Sequence, residues 1–384
     1  TRVTDRGRGP FAASFSCGRE NAQSACLPIR PMSLSFNAPV PRKQAEGIRL
    51  VSGAGSTKPQ LEGDGNQADA DSVVTQITFP GPFDEQTRFT LELPRGFQDA
   101  SGRTLRNADN FPLKVATGAR PPLAKFAAAP FGVVERLAEP GGVALMPVTV
   151  RNVEPALAVQ ALTPGRVSDL NPKTDAEIIA WFKKVQRYDS YTVDRDDARR
   201  DIKGSLPAKL EKNDTRVQTR MVSLLAGQPG VKALDMPKAT AGDPRPFEVV
   251  GIPLTPGFHV LEIASQKLGG ALLDERYGDS RTMYVRTSVL ATNLGVHFKL
   301  GRDNAMAWVT TLDSGAVVPG AQVQVSDCRG ALLASGTTDA QGVVALKDLS
   351  PEPPRCNGQD DDQSDYQSAY FVSARAKDAK GVED

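Results

Sequence analysis

The residues of this chain with most chemical reach are two histidines, four cysteines and one acidic run. His259 lies in Gly257-Phe-His-Val and His297 in Val296-His-Phe. A nucleophile–base–acid triad would have to use one of them, and two histidines cannot build a His-rich zinc site. Both alternate with apolar neighbours, so each reads as a strand residue on a polar face rather than a catalytic base. Asp360, Asp361, Asp362 and Asp365 could offer carboxylates to calcium, but the loop lacks the ordered ligand spacing and the glycine of an EF-hand. The run Asp194 to Asp201 alternates in sign and reads as a solvated face or loop, not a phosphate site. The expectation is therefore no catalytic residue, no cofactor and no metal ligand.

Cys17 and Cys26 are separated by eight residues, Cys328 and Cys356 by twenty-seven, and neither pair has C-x-x-C spacing. Four cysteines allow three pairings. The two local ones keep each bridge inside one candidate domain, and are expected as structural disulfides between Cys17 and Cys26 and between Cys328 and Cys356. Bridges of that kind belong to an oxidising compartment, and each would contribute about 2.5–3.5 kcal/mol by chain entropy. Four buried reduced thiols in a cytosolic protein are the alternative.

The elements that must position these residues are mostly strands. The chain has 384 residues, 46 Lys plus Arg against 45 Asp plus Glu, 34 Gly and 29 Pro. A balanced charge argues against a nucleic-acid binder, and frequent turn residues favour many short strands. No run of 18 apolar residues exists, so no membrane span is expected. Period-two patterns mark Met32–Phe36, Val74–Phe79, Phe89–Leu93, Phe111–Thr117, Val143–Val150, Ala156–Leu162, Phe247–Ile252, Gly257–Ile263, Thr282–Arg286, Val296–Leu300, Ala305–Thr311, Ala321–Ser326, Val343–Leu346 and Ala369–Ala374. The Gly-, Asp- and Ser-rich stretch Ser52 to Asp71 reads as a long exposed loop, and Gly118 with Pro121-Pro122 as a linker.

Two stretches break the strand pattern. Thr174-Asp-Ala-Glu177 has capping-box form, and Ile178, Trp181, Phe182 and Val185 follow at helical spacing, which predicts a helix over 175–188. Val217, Met221, Leu224 and Leu225 repeat that spacing and Gly227 fits a C-terminal stop, which predicts a second helix. Trp181 and Phe182 are expected to pin this insertion to a sandwich.

Thr310-Thr-Leu-Asp-Ser-Gly-Ala-Val-Val-Pro-Gly-Ala-Gln-Val-Gln-Val325, followed by Gly336-Thr-Thr-Asp-Ala-Gln-Gly-Val343, resembles a macroglobulin (MG) domain of the bacterial alpha-2-macroglobulin family. Phe15-Ser-Cys17 with Cys26 and Pro31–Val40 resembles the Ig-like domain near the N-terminus of these proteins, and Pro121–Phe126 with Phe131–Glu135 the junction after it. The resemblance implies an all-β chain of tandem immunoglobulin-like and macroglobulin β-sandwiches with a small helical insertion in the middle domain. Its expected divisions are an Ig-like sandwich over 1–120, a macroglobulin-like sandwich over 121–288 with the insertion at about 170–245, and an MG sandwich over 289–384 cut at its C-terminus.

Some members of that family trap proteases: a bait region is cut, the molecule closes, and a Cys–Gln thioester captures the protease covalently, while other members lack the thioester. The thioester motif would read Cys-x-Glu-Gln. Cys356-Asn-Gly-Gln359 has Gly358 where Glu belongs, and Cys17, Cys26 and Cys328 do not fit at all, so Cys356 is read as half of a bridge. What the resemblance implies is a non-catalytic, N-terminal scaffold fragment of a periplasmic protease inhibitor, cut at both ends and monomeric. It would meet proteases through the full-length protein and touch envelope partners, with a lipidated N-terminus preceding Thr1 as its anchor. The alternative is a cell-envelope adhesion or protein-interaction module of Ig-like domains.

Overall fold

The computed structural model describes residues 9–19, 22–61, 72–138, 141–153, 166–203, 206, 215–235, 248–273, 282–355 and 368–384. The chain folds as two compact units, residues 1–121 and 122–384.

In the first unit the strands are β1 (Ala13–Cys17), β2 (Met32–Pro41), β3 (Arg49–Ser52), β4 (Gly55–Thr57), β5 (Gln60–Leu61), β6 (Val73–Phe79), β7 (Arg88–Glu92) and β8 (Leu113–Ala116), with a short helix α1 (Arg42–Ala45). They form two four-stranded sheets, β1-β2-β6-β5 and β4-β3-β7-β8. Strict alternation turns Met32, Leu34, Phe36, Ala38 and Val40 of β2 inward, where they meet Ile77 and Phe79 of β6 and Leu50, Phe89 and Leu91 from the opposite sheet. The stretch expected as a loop from Ser52 to Asp71 holds β4 and β5 in its first half, because Leu50 and Val51 pair with Thr57 and Ser56 across a tight turn. Its second half lies outside the described residues.

The second unit continues with β9 (Leu123–Phe126), β10 (Phe131–Glu135), β11 (Ala144–Arg151), β12 (Arg166–Leu170), α2 (Asp175–Arg187), β13 (Thr192–Asp194), α3 (Arg195–Asp201), β14 (Arg216–Gln218), β15 (Lys232–Asp235), β16 (Glu248–Leu254), β17 (Gly257–Ser265), α4 (Gln266–Leu272) and β18 (Met283–Thr292). Sheets β10-β18-β17-β12-β15 and β16-β11-β9 enclose one core, and the insertion packs on it as a third layer. This is why eight of the nine residues of β17 are buried: both faces of that strand are covered. The remaining strands, β19 (Leu294–Leu300), β20 (Ala305–Thr311), β21 (Gln322–Ser326), β22 (Leu332–Thr337), β23 (Val343–Leu346) and β24 (Phe371–Arg375), form sheets β19-β20-β23 and β22-β21-β24 around Ala307, Val309, Val323, Val325 and Leu346. Architecture is thus all-β sandwiches with one helical insertion. The strand expected at Ala156–Leu162 lies outside the described residues.

Within the insertion, α2 forms as its spacing predicts. The Thr174 hydroxyl accepts from the Glu177 backbone, and the Glu177 carboxylate accepts from the Thr174 backbone. The charged run from Asp194 folds as α3, capped by Asp194, with Asp196–Arg199 and Asp197–Arg200 pairs in solvent and Ala198 turned inward. The second predicted helix is not there. Residues 216–227 run as β14, one 3-10 turn at Thr219–Met221, and a series of bends that closes in a turn at Ala226 and Gly227, where Gly227 has a φ of 72°. Val217, Met221, Leu224 and Leu225 are all buried, so the spacing marked the right face but the wrong backbone.

Candidate functional site

The backbone of 216–227 departs from a helix because a buried ion pair takes its polar groups. Glu262 sits on the side of β17 that carries Phe258 and Val260. Its carboxylate accepts from the Ser223 hydroxyl and from the Leu224 backbone N–H at 3.0 Å. Arg286 on β18 donates to that carboxylate at 3.2 Å and to the carbonyls of Thr219 (2.9 Å) and Val222 (2.6 Å). These are carbonyls and amides that a helix would have paired with one another. Both side chains are nearly inaccessible, at 6% and 0%, so the pair is affordable only because its lone pairs and protons are satisfied. The Tyr188 ring lies under the Arg286 guanidinium at 5.7 Å, and burial pushes its phenol well above the usual range.

The structure corrects the placement of His259. It is 1% exposed and faces the inter-sheet core, not a polar face. Its Nδ1–H donates to Asp169 on β12 at 2.8 Å, and Nε2 lies 2.8 Å from the Thr255 carbonyl oxygen and 2.9 Å from the Asn171 amide. Both ring nitrogens are occupied within the fold, so neither is presented to a nucleophile or a substrate. His297 is on an exposed position of β19, opposite Trp308 on β20, with ring centroids 5.2 Å apart. The two histidines thus belong to different sheets and form no common constellation.

Cys17 and Cys26 are bonded, with Cα atoms 5.6 Å apart. The bridge ties β1 to the residues that continue β8, since the Cys26 N–H donates to the Ala116 carbonyl and its own carbonyl accepts from Gly118. Cys328 is buried and disulfide-bonded. Cys356, its expected partner, and the acidic residues Asp360, Asp361, Asp362 and Asp365 lie outside the described residues. Among the described residues no group of three or more His, Cys, Asp and Glu could hold a metal ion, and no helix is long and apolar enough to cross a membrane.

A groove of about 630 Å³ lies in the second unit, between the middle core and the sheets that follow it. Helix α2 forms one wall with Ile178 and Phe182, strands β10, β17 and β18 a second with Phe131 and Phe258, and β24 a third with Phe371. Phe182 meets Phe131 edge-on at 5.4 Å and Phe371 at 6.0 Å, so this ring joins the insertion to two sandwiches. Trp181 instead packs against the middle core, with the Lys184 ammonium 4.6 Å above its ring. At the mouth Asp175, the first residue of α2, pairs with Arg375 and accepts from the Ser373 hydroxyl at 2.6 Å. Gly330 is required here for contact: a Cβ on it would stand 2.4 Å from the Ala176 Cα, and its φ is 83°.

None of these polar partners was singled out from sequence. The signal that could have found Glu262 and Arg286 is a charge inside an apolar strand pattern, Phe258–Ile263 and Met283–Thr292, which demands an opposite charge nearby. Asp169 and Asn171 had no such signal, because Arg166-Val-Ser-Asp-Leu170 has only two apolar residues, Val167 and Leu170, and they do not alternate.

Residues 291–382 match the bacterial alpha-2-macroglobulin MG3 domain, bMG3. The Pro319-Gly320 and Asp339–Gly342 turns that carried the resemblance fall inside that match. Among solved structures the chain is similar to native Escherichia coli alpha-2-macroglobulin spanning domains MG0-NIE-MG1, at 14% identity and a TM-score of 0.40, over 98% of this chain and 95% of that one. It is also similar to the native conformation of the E. coli protein at 14% identity and 0.37, over 98% of this chain and 19% of that one. Salmonella alpha-2-macroglobulin reacted with methylamine gives 14% and 0.43, over 88% of this chain and 17% of that one. The chain therefore spans less than a fifth of those two longer proteins. No curated protein matches it in sequence.

Proposed function

We propose that this chain is an N-terminal scaffold part of a bacterial periplasmic alpha-2-macroglobulin-like protein that traps proteases, and that it supplies frame rather than chemistry. The observation that carries the reading is the MG3-domain match over residues 291–382. Three features support it. The histidine most enclosed by polar groups, His259, spends both nitrogens on structural bonds. The buried charges Glu262 and Arg286 are consumed in holding a backbone segment. The Cys17–Cys26 bridge suits an oxidising compartment such as the periplasm.

In this reading the frame consists of an Ig-like sandwich over 1–120, a macroglobulin-like sandwich over 121–288 and an MG sandwich over 289–384. Proteases are met by bait and capture regions elsewhere in the longer protein, and the segment itself is monomeric. The test is to incubate this chain, and separately the longer protein, with trypsin or elastase. The chain alone is expected to leave protease activity intact and to form no covalent adduct, while the longer protein shields or captures the enzyme. An adduct with the chain alone overturns the frame role, and an inert longer protein overturns the trap.

A further inference from the structure

The path from the middle sandwich to the last one is a single residue. β18 ends at Thr292, β19 begins at Leu294, and Asn293 between them is buried. Its backbone N–H donates to Asp384 Oδ1 (3.2 Å) and its carbonyl accepts from Leu312 N–H (2.7 Å). Its side chain accepts from Asp313 N–H (3.1 Å) and donates to Asp313 Oδ1 (3.2 Å). Linkers that let domains swivel are exposed and rich in Gly, Pro and Ser. This one has every polar group engaged and its neighbours on both sides locked in sheets.

Arg136 stands beside that joint. It follows β10, and its backbone N–H donates to the Thr292 carbonyl at 3.1 Å. Its guanidinium, with only 5% of the side chain exposed, spans two carboxylates of the hairpin that follows β24: Asp384 through Nε and Nη2 at 2.8 and 2.7 Å, and Asp378 through Nη2 at 2.7 Å. That hairpin closes on itself through the paired backbones of Ala376 and Asp384, and the Asp378 side chain accepts from Lys380 and Val382. Arg136 thus reaches from the middle sandwich into the last one and holds two ends of one hairpin at once. Only a planar, multi-donor fork does this; a lysine ammonium at the same place is a single point charge. The Asp175–Arg375 pair fastens the same two sandwiches through α2.

We propose that the middle and last sandwiches are one cooperative, rigid body locked by Arg136, so that the last sandwich neither swivels nor opens on its own. This holds whether or not the protein traps proteases. Any rearrangement of a longer protein built on this chain has to carry residues 122–384 as a block, and the groove lined by Phe182 and Phe371 keeps its width.

Native-state hydrogen exchange on the full chain, followed by mass spectrometry across a urea series, tests this. In the unaltered chain the core amides of β17 (Val260, Leu261) and of β21 (Val323, Val325) should converge on one opening with one urea dependence. Arg136→Met should split them, with β21 exchanging at least about 150-fold faster relative to β17, the scale of breaking a buried ion pair. Arg136→Lys should recover little of that loss. If Arg136→Met does not fold, Asp378→Asn carries the same comparison at smaller amplitude, because its side chain is 27% exposed. Two results overturn the proposal: β21 amides opening independently of β17 in the unaltered chain, or variants that accelerate both sets equally.

Discussion

The two legs of the insertion, α2 and residues 216–227, carry the same apolar spacing and fold differently. In α2 the information is local. Thr174 and Glu177 satisfy each other's backbone donors, and Ile179 and Val185 are both buried. In the second leg Val217, Met221, Leu224 and Leu225 also face the core, but Glu262 and Arg286 have bound the Leu224 amide and the Thr219 and Val222 carbonyls. Hydrophobic period decides which side of a segment is buried. It decides the backbone only where nothing else competes for the peptide groups.

The sharpest way to break this comparison is to remove one member of the ion pair. Glu262→Gln or Arg286→Met should each cost about 3–5 kcal/mol in urea unfolding, since the other charge is left buried and alone. Amides of 219–226 should lose protection while those of α2 keep it; equal loss in both legs would mean they share one basis. Replacing both residues together should recover part of the single losses, which a double-mutant cycle reads directly.

A lesion in the first unit serves as the control. Cys17→Ser with Cys26→Ser should lower the stability of residues 1–121 by about 2.5 kcal/mol, from the entropy of a short loop, and leave both legs of the insertion unchanged in exchange. Any loss of protection in the second unit would contradict that separation.

Thr174→Ala is a smaller and purely local lesion. It should cost about 1 kcal/mol, the usual worth of an N-cap, and lower protection in α2 without touching 216–227. The cap also has a pH signature. The Thr174 backbone N–H, then its hydroxyl, then the Lys173 N–H hold the Glu177 carboxyl below its ordinary range. A lowered folded pKa means the contribution is present above the ordinary glutamate value of about 4.3 and is lost as pH falls through the lowered value. Glu177→Gln should flatten that acid dependence of α2 exchange. Smallest of all, Asp197→Asn on α3 should change stability by no more than about 0.5 kcal/mol, because its pair with Arg200 is a surface contact.

Most of the fold was legible. Period-two strands such as Ala305–Thr311 and Val343–Leu346 form with the same ends as their patterns, because one face of each meets a core and the other meets water. Strands β10, β12, β15 and β22 were not legible. β10 and β22 lie at sheet edges with neither face cleanly buried, so no alternation is imposed on them. The candidate site was less legible than the fold. His259 looked solvent-facing because its neighbours alternate, yet the strand that carries it is covered on both faces, and alternation then no longer separates core from water.

By itself the sequence determined the all-β class, the capped helix α2, the family turns around Pro319-Gly320 and Asp339–Gly342, and the scarcity of chemistry-bearing side chains. These follow from local propensity and from period, which act within a few residues. Tertiary structure alone decided the non-helical path of 216–227, the burial of His259 against Asp169, and the grip of Arg136 on Asp378 and Asp384. Each depends on a charge or polar group meeting a partner brought from far along the chain. The cost of burying such a group unpaired is larger than any local preference, so the partner, not the neighbourhood, sets the outcome.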